Sequence, residues 1–212
     1  MKKSGIFISL ILSIYLFSVG STYALTLSGT DSIVATTPES AWAVGSELSM
    51  YDQSSASLTF ASIAWLDTYD QSDLNLIGFN YISWLNTYGE SHTSITSSES
   101  GSSDIGWLIT HEASTVELYS ATRLSWLLVN DTSEVIIYAS DYSYSGGHLS
   151  VSWLDGGGGA TFWAFNEAYG PSDVLPDNIR IVTAFPVPES MSLLLLLSSL
   201  IACSITLGRK RG

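Results

Sequence analysis

The chain has 212 residues, 20 of them acidic and 7 basic, for a net charge of -13 with only 13% charged residues. Five of the bases, Lys2, Lys3, Arg209, Lys210 and Arg211, stand at the two ends and only Arg123 and Arg180 lie between, which excludes a basic groove and therefore a nucleic-acid partner. A hydrophobic content of 46% with 12% aromatics excludes overall disorder, because such a chain can bury enough apolar surface to offset its ordering entropy.

Residues 1–24 read as a secretory signal peptide. Lys2 and Lys3 form the charged start, Ile6 to Val19 are free of charge, and Thr22-Tyr23-Ala24 offers small residues at the positions a signal peptidase reads. Cleavage is expected between Ala24 and Leu25; an uncleaved anchor is the alternative, against which the apolar run is short.

The body that follows, residues 25–184, repeats one pattern five times. Ile63-Ala64-Trp65-Leu66, Ile82-Ser83-Trp84-Leu85, Ile105-Gly106-Trp107-Leu108, Leu124-Ser125-Trp126-Leu127 and Val151-Ser152-Trp153-Leu154 each place an aliphatic residue, a small one, Trp and Leu in fixed order. The tryptophans are 19, 23, 19 and 27 residues apart, and a second apolar segment follows most of them: Leu74-Asn75-Leu76, Val116 to Tyr119, Val135 to Tyr138 and Phe162 to Phe165. The unit is strand, short turn, strand, since alternation fits these segments and helical spacing does not. Turn residues at Asp131 to Ser133, Gly146-Gly147 and Asp155 to Gly159 separate the strands. The expectation is an all-β domain of about ten strands, a jelly-roll-like sandwich or a meander. Residues 91–103, nine of them Ser or Thr, interrupt the repeat and read as a long loop.

Few residues invite chemistry. No Gly-x-Ser-x-Gly elbow is present, and His92, His111 and His148 lie in three separate segments without dyad or metal spacing. A glycosidase carboxylate pair is set by distance in space and stays open. Gly156 to Gly159 lack the lysine and following helix of a phosphate loop and read as a turn. No cofactor is expected. Calcium is the alternative, with Asp67, Asp70 and Asp73 as hard oxygen ligands in one loop and Asp177 as a further candidate, although no Asp-x-Asp-x-Asp loop with a closing Glu occurs. The repeated tryptophans read as a core stripe, because the aliphatic residue two positions earlier would share their face. A row of exposed sugar-stacking rings is the competing reading, for which Tyr69 and Tyr88 near turns are further candidates.

At the C-terminus, Val187-Pro188-Glu189-Ser190 precedes an uncharged apolar run, 191–207, which as a helix reaches about 25 Å, enough for a bilayer core. Arg209, Lys210 and Arg211 follow and would stay cytoplasmic, which places the body outside the inner membrane. The single cysteine, Cys203, lies in that run, so an exported body has no disulfide or thiolate. A glycolipid-anchor signal is the competing tripartite tail, but such tails lack the terminal bases.

The order Val-Pro-Glu, span, basic end over residues 185–212 resembles the PEP-CTERM sorting signal of Gram-negative bacteria, with Ser190 where a second proline is usual. That resemblance implies an exosortase-type membrane enzyme as processing partner, transient anchoring by 191–207, and release of the body to the cell surface or beyond. Asp177 to Ala184, leading into the motif, looks like the last strand of jelly-roll domains found with such signals. The reading is an exported, non-enzymatic cell-surface or extracellular-matrix protein associated with exopolysaccharide; the alternative is a carbohydrate-binding module that recognises that polysaccharide.

Overall fold

A computed structural model describes residues 24–35, 46–78, 80–96, 103–119, 123–154, 158–168 and 170–183. Within them the chain is all β, with fifteen strands and no helix. The signal segment before Ala24, the motif Val187 to Ser190, the 191–207 run and Cys203 lie outside the described residues. Among the described residues no helix is long and apolar enough to cross a membrane.

The strands do not form the expected sandwich or meander of about ten strands. Consecutive strands never pair until the C-terminal end. Each strand instead lies parallel to the one two places along, so the chain winds as a β-solenoid. One wall carries β1 (Ala24–Leu27), β3 (Glu47–Met50), β5 (Ser62–Thr68), β7 (Tyr81–Thr87), β9 (Asp104–Thr110), β11 (Arg123–Val129) and β14 (Gly159–Phe165). The facing wall carries β2 (Ser32–Ala35), β4 (Ser55–Leu58), β6 (Asp73–Ile77), β8 (His92–Thr96), β10 (Thr115–Leu118), the first part of β12 (Glu134–Ser145) and β15 (Ile179–Val182). Residue 91 onward, expected in a loop, contributes the whole of β8, and Ser91 and Ser103 are buried. The final strand expected around residues 177–184 is present as β15, but it extends the solenoid beside β12.

Two strands and two turns per coil explain the repeat length. Rows of Leu, Ile and Val from both walls fill the space between them: Leu48, Leu66, Leu85, Leu108 and Leu127 on one side face Leu58, Leu76, Ile95, Leu118 and Ile137 on the other, all essentially inaccessible. Parallel pairing without offset places like residues above like, at the strand spacing of about 4.8 Å. Every side chain therefore belongs to a column, and each column must tolerate its own repetition.

Two turn columns show how this is met. At one corner Gly29, Asp52, Asp70, Gly89, Glu112 and Asp131 all adopt positive φ, between 54° and 69°. Their carboxylates serve the preceding coil: Asp52 accepts from the Gly29 amide (2.9 Å), Asp70 from Asp52 (3.1 Å), Glu112 from Gly89 (2.6 Å) and Asp131 from Glu112 (3.1 Å). Gly89 interrupts the series because the coils approach closely there; a Cβ would stand 2.7 Å from the Asp70 nitrogen. Beneath this corner runs a buried hydroxyl column, Thr68 to Ser91 (3.0 Å), Thr87 to Ser114 (2.9 Å) and Thr110 to Ser133 (2.7 Å). Ser54 and Ser72 occupy the same serine column, yet among the described residues their hydroxyls have no partner. The cause is visible in the register, since Leu27 and Met50 stand where the later coils have threonine.

At the opposite corner Asn80 ties three coils. It accepts from the Ala61 amide (3.0 Å) and donates to the carbonyls of Leu58 and Ile77 and to Ser103 Oγ, all while 3% exposed.

The C-terminal end departs from the parallel plan. The long strand β12 leaves the second wall, turns through Gly146-Gly147, and returns as β13 (His148–Trp153), which pairs antiparallel with both β12 and β14. Gly158 and Gly159, from the glycine run, lie where β13 turns back into β14, with Trp153 donating its amide to the Gly158 carbonyl.

Candidate functional site

The outer face of the first wall carries the largest concentration of side chains without an obvious internal role. Trp65, Trp84, Trp107, Trp126 and Trp163 stack in one column with ring centroids 5.1, 4.9, 4.8 and 5.3 Å apart and planes within 9° of parallel. Four of these belong to the five sequence repeats. The fifth repeated tryptophan, Trp153, is instead buried to 2% exposure in β13, and Trp163 takes its place in the column.

The expected core stripe is thus corrected for four positions, and a bulge is the reason. In β5 the amides of both Ala64 and Trp65 donate to the Ser46 carbonyl, so one residue is inserted into the ladder. Pairing accordingly skips from Ile63 to Trp65 against Ile82 and Trp84, and likewise beyond. Ile63 and Leu66 both face inward, with the small residue and Trp outside. The bulges approach most closely at Gly106, where a Cβ would meet the Ser83 carbonyl oxygen at 2.7 Å. In β13 no bulge intervenes, so Val151 and Trp153 share the buried face as simple alternation requires.

A column is not a row of open platforms. Trp84, Trp107 and Trp126 have both ring faces covered by neighbours and present only edges outward. At one end His148 lies over Trp163 (3.7 Å). The other end is open: among the described residues Trp65 stacks only on Trp84, is 46% exposed, and has Glu47 rather than an aromatic in the adjacent register position on β3.

Tyr69 and Tyr88 are likewise enclosed. They stand in a corner column, Tyr51, Tyr69, Tyr88 and His111, with centroids 4.7, 4.9 and 4.7 Å apart, so their faces are unavailable. Burial, then Asp67, Tyr51 and Tyr88, push the Tyr69 phenol up to about 12, and burial followed by Asp67 and Glu112 raises Tyr88. In the folded column the neutral phenols are favoured. Stability from this source is fully present below the ordinary tyrosine range near pH 10 and is lost as pH rises toward 12. An alkaline titration followed at 295 nm and by circular dichroism is therefore expected to show phenolate appearing together with unfolding above pH 10. Full ionisation of Tyr69 near pH 10 with an unchanged strand spectrum would contradict this.

The remaining candidates separate in space. Asp67 lies on the outer face of β5 and accepts from Asn86 Nδ2 (2.7 Å), Asp70 caps a turn amide, and Asp73 sits on the other wall against His92 Nδ1 (3.1 Å). The three do not converge as a calcium site would need, and among the described residues no group of His, Cys, Asp and Glu is arranged to hold a metal. Asp177 is exposed in the connection before β15. A shallow groove of about 650 Å³ follows the turn column past Asp52, Gln53, Asp70, Gln71 and Glu90, but these groups already serve one another or the backbone across coils.

Each histidine terminates or bridges a column. His92 stands between Asp73 and Glu117 (3.4 Å), and Glu117 also accepts from the hydroxyls of Tyr119 (2.7 Å) and Tyr138 (3.3 Å). His111 ends the tyrosine column, and His148 ends the tryptophan column.

Comparison of the chain with protein-family models, with curated proteins and with solved structures found no match.

Proposed function

We propose that this protein is an exported, non-enzymatic component of the cell surface or extracellular matrix, associated with exopolysaccharide and processed by an exosortase-type membrane enzyme. The observation that carries the reading is the ordered set of end signals. Lys2, Lys3 and an apolar run open the chain; Val187 to Ser190, the 191–207 run and Arg209 to Arg211 close it. The body between them suits such a role. It carries 19 carboxylates against Arg123 and Arg180, holds no cysteine, and is stapled across coils by hydroxyl, carboxylate-amide and aromatic columns. Those interactions function in an oxidising or a reducing medium alike.

Intact-mass measurement of the species outside the cell tests this. The expected product begins at Leu25 and ends within the 187–190 region. An external species that still contains Arg209 to Arg211 would remove the sorting reading.

A second reading, carbohydrate recognition, is favoured by one specific feature. The open face of Trp65 offers an apolar plane of the size of a pyranose ring, at the end of a rigid column on an exposed wall.

A further inference from the structure

We propose that the open end of the tryptophan column binds a protonated amino-sugar unit of a polysaccharide that carries free amines, an inference that rests on the carbohydrate reading of Trp65. Two neighbouring groups define the site. The indole of Trp65 is held flat by Trp84, with planes 9° apart, and its other face looks toward β3. The adjacent register position on that strand, about 4.8 Å away, belongs to the exposed Glu47. A neutral sugar can use that carboxylate only as an acceptor for a hydroxyl, whereas a protonated amine gains an ion pair as well. A hexosamine uses both groups, because its axial C–H face stacks on the ring while its ammonium, carried directly on the pyranose, reaches the carboxylate.

The rest of the molecule selects the same ligand class by charge. A body with 19 carboxylates and two arginines repels uronate-rich chains and attracts cationic ones. Neither arginine of the described residues supplies the missing cation: Arg180 pairs with Glu134 (2.8 Å), and Arg123 opens β11, four strands along the wall from the β3 of Glu47. Among the described residues Glu47 is thus an exposed carboxylate without a cation, next in register to the exposed Trp65.

Calorimetric titration of the full chain in mild detergent at pH 6 tests the proposal with four probes: a glucosamine hexamer, its fully N-acetylated counterpart, a uronate oligomer and hexalysine. The glucosamine hexamer is expected to bind about tenfold more tightly than the acetylated one, with no binding of the uronate. Trp65→Ala should weaken it at least tenfold, and Glu47→Gln should remove the preference for the free amine while leaving the acetylated chain's affinity unchanged. Trp65 ends its column and Glu47 is exposed, so both variants should fold; if Trp65→Ala does not, Glu47→Gln decides alone. Equal, Trp65-dependent binding of both hexamers would keep carbohydrate recognition and overturn the amino-sugar assignment. No binding of either hexamer would overturn carbohydrate recognition as well. Hexalysine binding with the same Trp65 dependence, or glucosamine binding indifferent to both substitutions, would overturn the assignment in favour of simple attraction of cations.

Discussion

Leu85→Asp is expected to abolish cooperative folding. Leu85 is 0% exposed in β7, at the centre of the leucine row between Leu66 and Leu108. Truncation to Ala would cost about 2 to 5 kcal/mol through lost transfer and the cavity left behind. A carboxylate there has no partner, and its burial adds several kcal/mol more, which together reach the whole stability of an ordinary domain, about 5 to 15 kcal/mol. Position matters as much as chemistry. A solenoid is held by nearest-neighbour interfaces, so a failed central coil separates the stacks on either side and leaves each too short. Circular dichroism and limited proteolysis should show loss of the strand spectrum and cleavage between the flanking coils. As a control, Ser94→Asp on the outer face of β8 should stay within about 1 kcal/mol of the native protein. A folded, protease-resistant Leu85→Asp protein would show that the two walls do not pack on this row.

The second large effect separates Trp153 from the other repeated tryptophans. Trp153→Ala should cost about 3 to 5 kcal/mol, because the ring is 2% exposed and belongs to the core. Trp107→Ala removes two stacking contacts, each worth about 0.5 to 1.5 kcal/mol, from a half-buried outer position, and should cost roughly 1 to 3 kcal/mol. Denaturant midpoints of the two variants measure the difference, and a Trp107→Ala cost equal to that of Trp153→Ala would place the column in the core.

Trp153 and the four repeated tryptophans of the column differ only by a bulge, and a bulge leaves almost no trace in sequence. An aliphatic residue two positions before Trp does share its face in Val151 and Trp153. It fails for Ile63 and Trp65, where the inserted Ala64 shifts the alternation by one. The small residue before Trp gives no help, because Ser152 precedes the buried Trp153 just as Ala64 precedes the exposed Trp65. Strand content and the strand-turn-strand unit were legible because alternation and turn residues are local properties. Parallel winding was not, since pairing is a long-range property; the available signal was the recurrence of the turn itself, in Thr68-Tyr69-Asp70-Gln71-Ser72, Thr87-Tyr88-Gly89-Glu90-Ser91 and Thr110-His111-Glu112-Ala113-Ser114. A meander needs no such repetition. A coil that stacks each turn on its copy does, because every side chain there must pair with its counterpart one layer away.

The candidate site was legible in type and not in place. Seven tryptophans announced aromatic stacking, yet which ring keeps an open face depends on where the column stops. It stops at Trp65 because the next coil reads Ser46-Glu47-Leu48, with a carboxylate in the aromatic position. Residue counting along one strand could not reveal that neighbour.

The hairpin of β12 and β13 gives the solenoid an uneven end. Beyond Tyr138, where its first part lies between β10 and β15 in the second wall, β12 turns to antiparallel pairing with β13, and β13 in turn flanks β14. A second molecule arriving with the parallel strands β1 and β2 finds no matching parallel ledge along this hairpin. The exposed stretch of β12 also carries Asp141. A stack of identical layers would otherwise be an ideal seed for its own endless extension, and a reversal of strand direction with a charge on it works against that.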